Sequence, residues 1–103
     1  MVSQSRLYSR YIVCYDIENV KTRNKLYKSL KDFGLMPIQK SVFFGELTKA
    51  EISSIRRLVS DLLDKKTDKC LYIQTNLTDQ DIIRNCFGYK DFKYVSVDGF
   101  ETI

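Results

Sequence analysis

The run from Tyr11 to Ile17 constrains the fold of this chain more than any other stretch. Six of its seven residues are apolar or aromatic and favour β-structure, so the run predicts a central strand that is buried on both faces. The exception is Asp16, and an ionised carboxylate is costly in a dry core unless it has a partner. We therefore expect Asp16 to mark a rim where a cation, a hydrogen-bond donor or water reaches it. This rim is the candidate site.

Composition limits both the class of protein and its chemistry. A chain of 103 residues with 44% hydrophobic content predicts one domain over residues 1–103. No apolar run is long enough to span a bilayer, which predicts a soluble, cytoplasmic protein with no membrane partner. Histidine is absent, which excludes Ser-His-Asp, Cys-His and His-ligated zinc chemistry, so catalysis would need carboxylate, Tyr, Lys or Arg. The net charge of +4 favours a polyanionic partner without requiring one.

The first helix is predicted over residues 21–33, where apolar side chains recur at helical spacing before Gly34 ends the pattern. Three lysines share the face opposite the apolar one, either as a solvated surface or as a nucleic-acid-binding stripe. Arg23 instead lies on the apolar side, where it needs an anion or a carbonyl, or a structural pair with Asp16 or Glu18. The lysines of this stripe are Lys21, Lys25 and Lys28.

The segment 35–47 holds the only proline and a β-rich run. Because Pro37 cannot donate to a ladder, we expect a short edge strand over 36–39 and a stronger strand over 41–47, forming either a hairpin or one bent strand. Phe43 and Phe44 should face opposite sides of the sheet, and Gly45 indicates a bulge or a close approach.

The remaining elements follow from capping signals. Thr48 and Glu51 form a capping box that starts a second helix, and Thr78 with Asp81 caps a short helix that ends near Cys86. Strands are predicted over 70–74 and 92–97, the latter followed by a turn at 98–99. We expect residues 1–10 to be a flexible lead-in and 78–103 a C-terminal extension. The apolar stripe of the second helix consists of Ile52, Ile55, Val59 and Leu62.

This order of elements predicts a ferredoxin-like α+β fold, βαββαβ, with an extra C-terminal strand. The helices of such a fold cover one face of the sheet and leave the other open. Since the first strand is apolar on both sides, we expect a homodimer joined through the open sheet face, with the last strand added to the edge of the partner's sheet.

Three motifs together resemble the CRISPR-associated protein two family. They are the strand ending in Tyr15-Asp16-Ile17, the basic helix segment Arg23-Asn24-Lys25-Leu26, and the stretch from Gln39 to Leu47 that leads into a capped helix. The resemblance covers residues 11–75 in order and spacing. It implies a ferredoxin-like homodimer that works with the CRISPR integrase in spacer acquisition, and a metal-dependent nuclease acting on single-stranded RNA or double-stranded DNA.

The resemblance also implies site residues. The metal-binding aspartate matches Asp16, its neighbouring tyrosine matches Tyr15, the helix arginine matches Arg23, and the Ser-Val-Phe stretch matches Ser41 to Phe43. One carboxylate per chain is too little for Mg²⁺, but two Asp16 residues across a dimer axis would bridge it. The chain departs from the family pattern at two positions: Lys25 stands where some members have a second helix arginine, and Pro37 stands where some have a basic residue. The residues implied as catalytic are therefore Tyr15, Asp16, Arg23, Ser41 and Phe43.

Three functions stay open at this point. The first is an architectural protein that bridges DNA and holds integrase subunits, which needs phosphate contacts but no metal. The second is a metal-dependent endonuclease centred on paired Asp16 residues. The third, an RNA-recognition module, would want an aromatic-rich strand with basic and glycine positions, and residues 41–47 fit that pattern poorly.

Overall fold

A computed structural model of the chain describes residues 7–89. The four strands form one sheet in the order β2-β3-β1-β4, and every neighbouring pair is antiparallel. The βαββαβ order is therefore confirmed, and a short third helix follows it. The predicted strand over 92–97 and the turn at 98–99 lie outside the described residues. The elements are β1 (Ser9–Asp16), α1 (Val20–Asp32), β2 (Met36–Gln39), β3 (Val42–Leu47), α2 (Lys49–Leu62), β4 (Lys69–Thr75) and α3 (Asp79–Asn85).

Strand β1 lies at the centre of the sheet, between β3 and β4, as predicted. It begins at Ser9, so Ser9 and Arg10 belong to the sheet, and the expectation of a flexible lead-in as far as residue 10 is wrong for these two. Arg10 tolerates this position because its guanidinium donates to the carbonyl of Leu77 at 2.8 Å and lies 5.7 Å from the ring centre of Phe44. With these two partners Arg10 is accommodated in the strand, although its low hydropathy does not predict a strand position.

Helix α1 has defined signals at both ends. At its start the side-chain oxygen of Asn19 accepts a hydrogen bond from the backbone of Thr22, a cap that the sequence reading did not include. At its end Gly34 has a φ of +92°, and the N–H of Leu35 donates to the carbonyl of Leu30 at 3.2 Å. This is a Schellman ending, in which glycine takes the left-handed conformation without a steric cost, so the predicted stop at Gly34 is confirmed.

Helix α2 begins with the predicted capping box. The Thr48 side chain accepts from the N–H of Glu51, and the Glu51 carboxylate accepts from the N–H of Thr48 at 2.8 Å. Three residues of its predicted apolar stripe are buried and the fourth is partly buried against the core, as the helical spacing requires. The same kind of capping box opens α3 at Thr78 and Asp81.

The segment after α1 is a hairpin, which settles the choice between a hairpin and one bent strand. Strands β2 and β3 pair antiparallel around a turn at Lys40 and Ser41. Pro37 lies in β2, an edge strand, where its missing N–H removes no central ladder bond. The irregular register falls between Pro37 and Gln39. Gly45 instead lies in unbroken register opposite Tyr11, so the expectation of a bulge there is wrong.

The core lies between the sheet and the pair of helices α1 and α2, and we call this face of the sheet the helix side. Its buried members come from β1, α1, β3, α2 and the segments that join them, and Val13, Phe43 and Leu30 are completely buried. Burial of such side chains contributes roughly 1.5–3 kcal/mol each, so this layer provides most of the fold's stability. The cluster consists of Val13, Tyr15, Ile17, Leu26, Leu30, Leu35, Phe43, Leu47, Ile52, Ile55 and Val59.

We call the opposite face of the sheet the far side. Because side chains alternate along a strand, it carries Ile12 and Cys14 of β1 and Leu71 and Ile73 of β4, which lie opposite one another in register. Phe44 of β3 shares this side and is completely buried, so Phe43 and Phe44 face opposite ways as predicted. Leu71 and Ile73, however, keep 46% and 55% of their surface exposed. Within the described residues, no helix has the length and apolar character that a membrane crossing requires.

Candidate functional site

The candidate site lies where β1 ends, and strand alternation divides it between the two sides of the sheet. Tyr15 belongs to the buried helix-side cluster, while Asp16, the next residue, is exposed and alternates to the far side. The residues that the sequence predicted as one site therefore form two neighbouring groups that meet at the end of β1.

On the helix side, Tyr15 is fixed by packing and by a hydrogen bond. Its hydroxyl donates to the backbone carbonyl of Lys40 at 3.2 Å, and its ring lies 6.2 Å from that of Phe43 with a 29° angle between the planes. The ring of Tyr27 meets Phe43 edge-on at 5.2 Å. Burial raises the pKa of the Tyr15 hydroxyl, and the nearby Arg23 guanidinium opposes that shift without cancelling it. Tyr15 is thus a protonated donor at neutral pH.

Arg23 lies in the first turn of α1 and is half-buried beside Tyr15. Its guanidinium donates from Nη1 to the carbonyl of Ile17 at 3.3 Å. Of the partners considered from sequence, the carbonyl is the one found, rather than the carboxylate of Asp16 or Glu18. An arginine has five N–H donors, so this single bond leaves most of them available for an anion.

These residues border a cavity of about 340 Å³ between α1 and the β2–β3 turn, which we call the Arg23 pocket. Two of its lining residues, Arg23 and Lys40, are cationic, and none carries a carboxylate. The sequence predicted three of its members but missed the others, because a turn residue such as Lys40 is brought to α1 only by the hairpin. The pocket is lined by Tyr15, Arg23, Asn24, Tyr27, Lys40 and Ser41.

The two remaining residues predicted as catalytic differ in what they can touch. Ser41 is half-buried in the β2–β3 turn, its carbonyl accepts from the N–H of Tyr15 at 3.1 Å, and it borders the Arg23 pocket. Phe43 is completely buried, so it cannot contact a ligand and can act only by holding the rings of Tyr15 and Tyr27. Any catalytic contribution from Phe43 would therefore be a positioning one.

On the far side, Asp16 lies directly opposite Lys69 of β4. Next to them is a second cavity of about 290 Å³, lined by Cys14, Tyr15, Asp16, Lys69, Cys70 and Leu71. Of these, Tyr15 and Cys70 lie opposite one another and pack on the helix side. Burial raises the pKa of the Cys14 thiol and raises that of Cys70 to about 11, so neither thiol is activated as a nucleophile. The reactive group available on this side is the exposed carboxylate of Asp16.

A single copy of the described residues does not form a complete metal site. Nowhere in residues 7–89 do three His, Cys, Asp or Glu side chains gather closely enough to hold an ion. Mg²⁺ nevertheless needs only one or two carboxylates, because it keeps several of its waters and takes substrate phosphate oxygens as further ligands. The chemistry of Asp16 therefore fits Mg²⁺ only if a second carboxylate or a substrate completes the shell.

The three lysines predicted to bind nucleic acid are all exposed on α1. They lie away from the buried face formed by Leu26 and Leu30, as the helical wheel predicts. Their exposure is compatible with either a solvated surface or a phosphate-binding stripe, and it does not distinguish the two. The stripe consists of Lys21, Lys25 and Lys28.

Fold and site together define a small ferredoxin-like α+β protein with an exposed carboxylate and a basic pocket at the end of its central strand. Residues 9–82 match the family model described as CRISPR associated protein Cas2. A curated relative from Francisella tularensis subsp. novicida, named CRISPR-associated endoribonuclease Cas2 1, is 37% identical over 98 residues, which cover 95% of this chain and 99% of that protein.

Solved structures agree with this match. A hypothetical protein from Thermus thermophilus superposes with a TM-score of 0.64 at 31% identity, covering 69% of this chain and 85% of that one. Cas2 from Streptococcus pyogenes superposes with a TM-score of 0.60 at 26% identity, covering 75% of this chain and 94% of that one. The chain belongs to the Cas2 family.

Proposed function

We propose that this chain is a CRISPR adaptation protein that acts as a homodimer, binds nucleic acid with the CRISPR integrase, and cleaves phosphodiesters with Mg²⁺. The observation that carries the proposal is the exposed carboxylate of Asp16 at the end of the central strand, beside an apolar far side. The substrates proposed are double-stranded DNA and single-stranded RNA. The endoribonuclease name of the Francisella relative supports the RNA substrate.

The proposed dimer joins the far sides of two sheets. Leu71 and Ile73 are adjacent on this side and are about half exposed, and an apolar pair at the edge of a sheet is favourably covered by a second copy. The described sheet ends in β2 and β4, and we expect the predicted strand over 92–97 of a partner to add to one of these edge strands. A two-fold axis near the end of β1 would bring two Asp16 side chains together.

Paired Asp16 carboxylates are the proposed holders of Mg²⁺. When bound, the ion would neutralise charge on the phosphate and lower the pKa of water at the site. The chain's own contribution is positional: β1 fixes the carboxylate at the rim, and the register that pairs Asp16 with Lys69 puts a cationic residue on the neighbouring strand. No histidine is required as a base.

An architectural role without cleavage is the second candidate, favoured by the exposed lysine stripe of α1 and the net charge of +4. An RNA-recognition module is a poorer fit. Such modules stack bases on aromatic side chains of the open sheet face. Here Tyr11, Tyr15 and Phe43 belong to the helix side, and Phe44 on the far side is completely buried.

Cleavage of labelled duplex DNA and single-stranded RNA by wild type and Asp16→Asn, with Mg²⁺ or EDTA, tests the proposal. Asn has nearly the volume of Asp but not its charge, so we expect cleavage to fall at least about a hundredfold, or ~2.7 kcal/mol, while the fold and dimer persist. Wild-type cleavage in EDTA, or undiminished cleavage by Asp16→Asn, would reject the metal site. Spacer integration that persists in Asp16→Asn would favour the architectural role.

A further inference from the structure

The segment 77–89, which contains α3, is tied to the sheet at both of its ends. At its start, the guanidinium of Arg10 in β1 donates to the carbonyl of Leu77 at 2.8 Å. At its end, the hydroxyl of Tyr89 donates to the carbonyl of Ile38 in β2 at 2.6 Å. The segment leaves from β4 and reaches β2, the two outer strands of the described sheet, which lie three spacings of about 4.8 Å apart. It therefore crosses the sheet, and we call it the strap.

The strap crosses on the far side, where it passes over Phe44. Two of the buried apolar side chains in residues 7–89 do not belong to the helix-side cluster, and these are Phe44 and Ile82 of α3. The guanidinium of Arg10 that bonds the strap also lies 5.7 Å from the ring centre of Phe44, which puts the start of the strap beside that ring. The burial of Ile82 away from α1 and α2 is explained by the same position.

Phe44 is one member of an apolar row that runs across the far side. The cross-strand register aligns one apolar residue from each strand, in the order Ile73, Ile12, Phe44 and Met36. Phe44 is completely buried, whereas Ile73 at the β4 end keeps 55% of its surface exposed. Lifting the strap would uncover Phe44 and extend the exposed apolar surface from β4 towards β2. A larger exposed apolar patch favours association with another protein surface.

The strap is held less firmly than the rest of the fold. Helix α3 has only seven residues, and a helix of that length is marginal without tertiary support. Residues 84–88, which link α3 to Tyr89, are exposed. The support described for the strap is the burial of Ile82 and the two hydrogen bonds at its ends, compared with the much larger cluster on the helix side. The strap can therefore open while the helix side stays folded.

We propose that the strap is a conformational switch that competes with a second copy of the chain for the far side. It is closed over Phe44 in the single chain and opens when two far sides join. Tyr89 is the latch, because its hydroxyl bond holds the end of the strap on β2. The proposal rests on the proposed far-side dimer but not on the proposed metal site. Since both copies must open, the apparent dissociation constant of the dimer varies inversely with the square of the open fraction.

Tyr89→Phe removes the latch hydroxyl and keeps the ring. Loss of one hydrogen bond should raise the open fraction roughly two- to tenfold. Hydrogen exchange of the amides of Ile82 and Cys86, which donate to carbonyls of the strap, measures this increase at a dilution where the chain is monomeric. Sedimentation equilibrium should then show a dimer dissociation constant that is lower by the square of the measured increase. The control Tyr11→Phe removes a hydroxyl on the helix side and should follow wild type.

Gly88→Ala loosens the latch in a second way. Gly88 has a φ of +89°, which L side chains rarely adopt, and no atom lies within 4 Å of the position that a Cβ would take. Alanine therefore strains the chain next to Tyr89 without a clash. Exchange in α3 and dimer affinity should both rise, as in Tyr89→Phe. The matched control Gly34→Ala introduces the same kind of strain at a φ of +92°, at the end of α1, and should change neither.

The outcomes separate the strap from the proposed dimer. Unchanged exchange of α3 in both Tyr89→Phe and Gly88→Ala overturns the latch. Faster exchange with a dimer dissociation constant that is unchanged or higher overturns the competition and leaves the proposed dimer standing. If wild type and both variants stay monomeric at every concentration, the proposed dimer is overturned, and faster exchange in those monomers still supports the strap and its latch.

Discussion

On the helix side of the sheet, Val13, Phe43 and Leu30 are completely buried, whereas on the far side Leu71 and Ile73 expose 46% and 55% of their surface. Helices α1 and α2, both with defined caps, cover the helix side, and its apolar residues are buried in the core. The far side of β4 has no such cover within the described chain. The comparison shows that the helix side is covered within a single chain, whereas the far side buries Phe44 of β3 but leaves the apolar pair of β4 exposed.

The largest expected effect tests the helix side. Phe43→Ala removes a completely buried ring that packs against Tyr15 and Tyr27, so it should lower the free energy of unfolding by about 3–5 kcal/mol. Ile73→Ala should cost less than half of that, since about half of this side chain is exposed in the single chain. Urea unfolding, at a dilution where the chain is monomeric, measures both. Equal costs would show that the two sides do not differ as described.

A smaller effect concerns nucleic acid binding through α1. Reversing Lys21 and Lys25 to Glu should weaken binding to all duplex sequences alike, and should lower the salt slope by about 2, because two phosphate contacts are lost. Filter binding or fluorescence anisotropy over a salt series measures the slope. Lys49→Glu with Lys65→Glu is the control, since these exposed lysines lie outside the stripe. If the two double variants had identical slopes, the lysine stripe would be a solvated surface that does not bind phosphate.

The smallest effect is a loss of stability at alkaline pH. Burial raises the pKa of Cys70 in the folded chain to about 11, above the ordinary value of 9.0 that applies when the chain is unfolded. The folded state therefore holds its proton longer, so the stabilising contribution is complete below pH 9.0 and is lost as pH rises towards about 11. Comparing the free energy of unfolding in denaturant of wild type and Cys70→Ala at several pH values isolates the contribution of the Cys70 thiol. A difference that does not change over this pH range would show that Cys70 is not shifted.

Much of the fold could be predicted because its signals are local. Both capping boxes, the stop at Gly34 and the position of Pro37 at an edge each depend on a few neighbouring residues, and all four are confirmed. The start of β1 was missed because Arg10 is polar and its partners, Leu77 and Phe44, lie far away in sequence. Hydropathy cannot reveal a partner that only the folded sheet supplies.

The candidate site was predicted less completely, for a related reason. Tyr15 and Asp16 were treated as one site because they are adjacent, although the period of a strand sends adjacent side chains to opposite faces. Lys40 was not singled out because nothing near it in sequence indicates that the hairpin brings it to Arg23 and Asn24. The roles of Tyr15, Ser41 and the other predicted site residues stay predictions until they are tested by mutation.

The most direct test of the account is the mass and the activity of a chain whose far side has been made polar. Leu71→Asp with Ile73→Asp places two charges on the exposed apolar pair and leaves the helix side untouched. The control Val20→Asp changes an equally exposed apolar residue at the start of α1. Light scattering should show a dimer for wild type and Val20→Asp. The double variant should be a folded monomer by circular dichroism and should not cleave nucleic acid with Mg²⁺, whereas a double variant that stayed dimeric, or a monomer that cleaved as wild type does, would contradict the account.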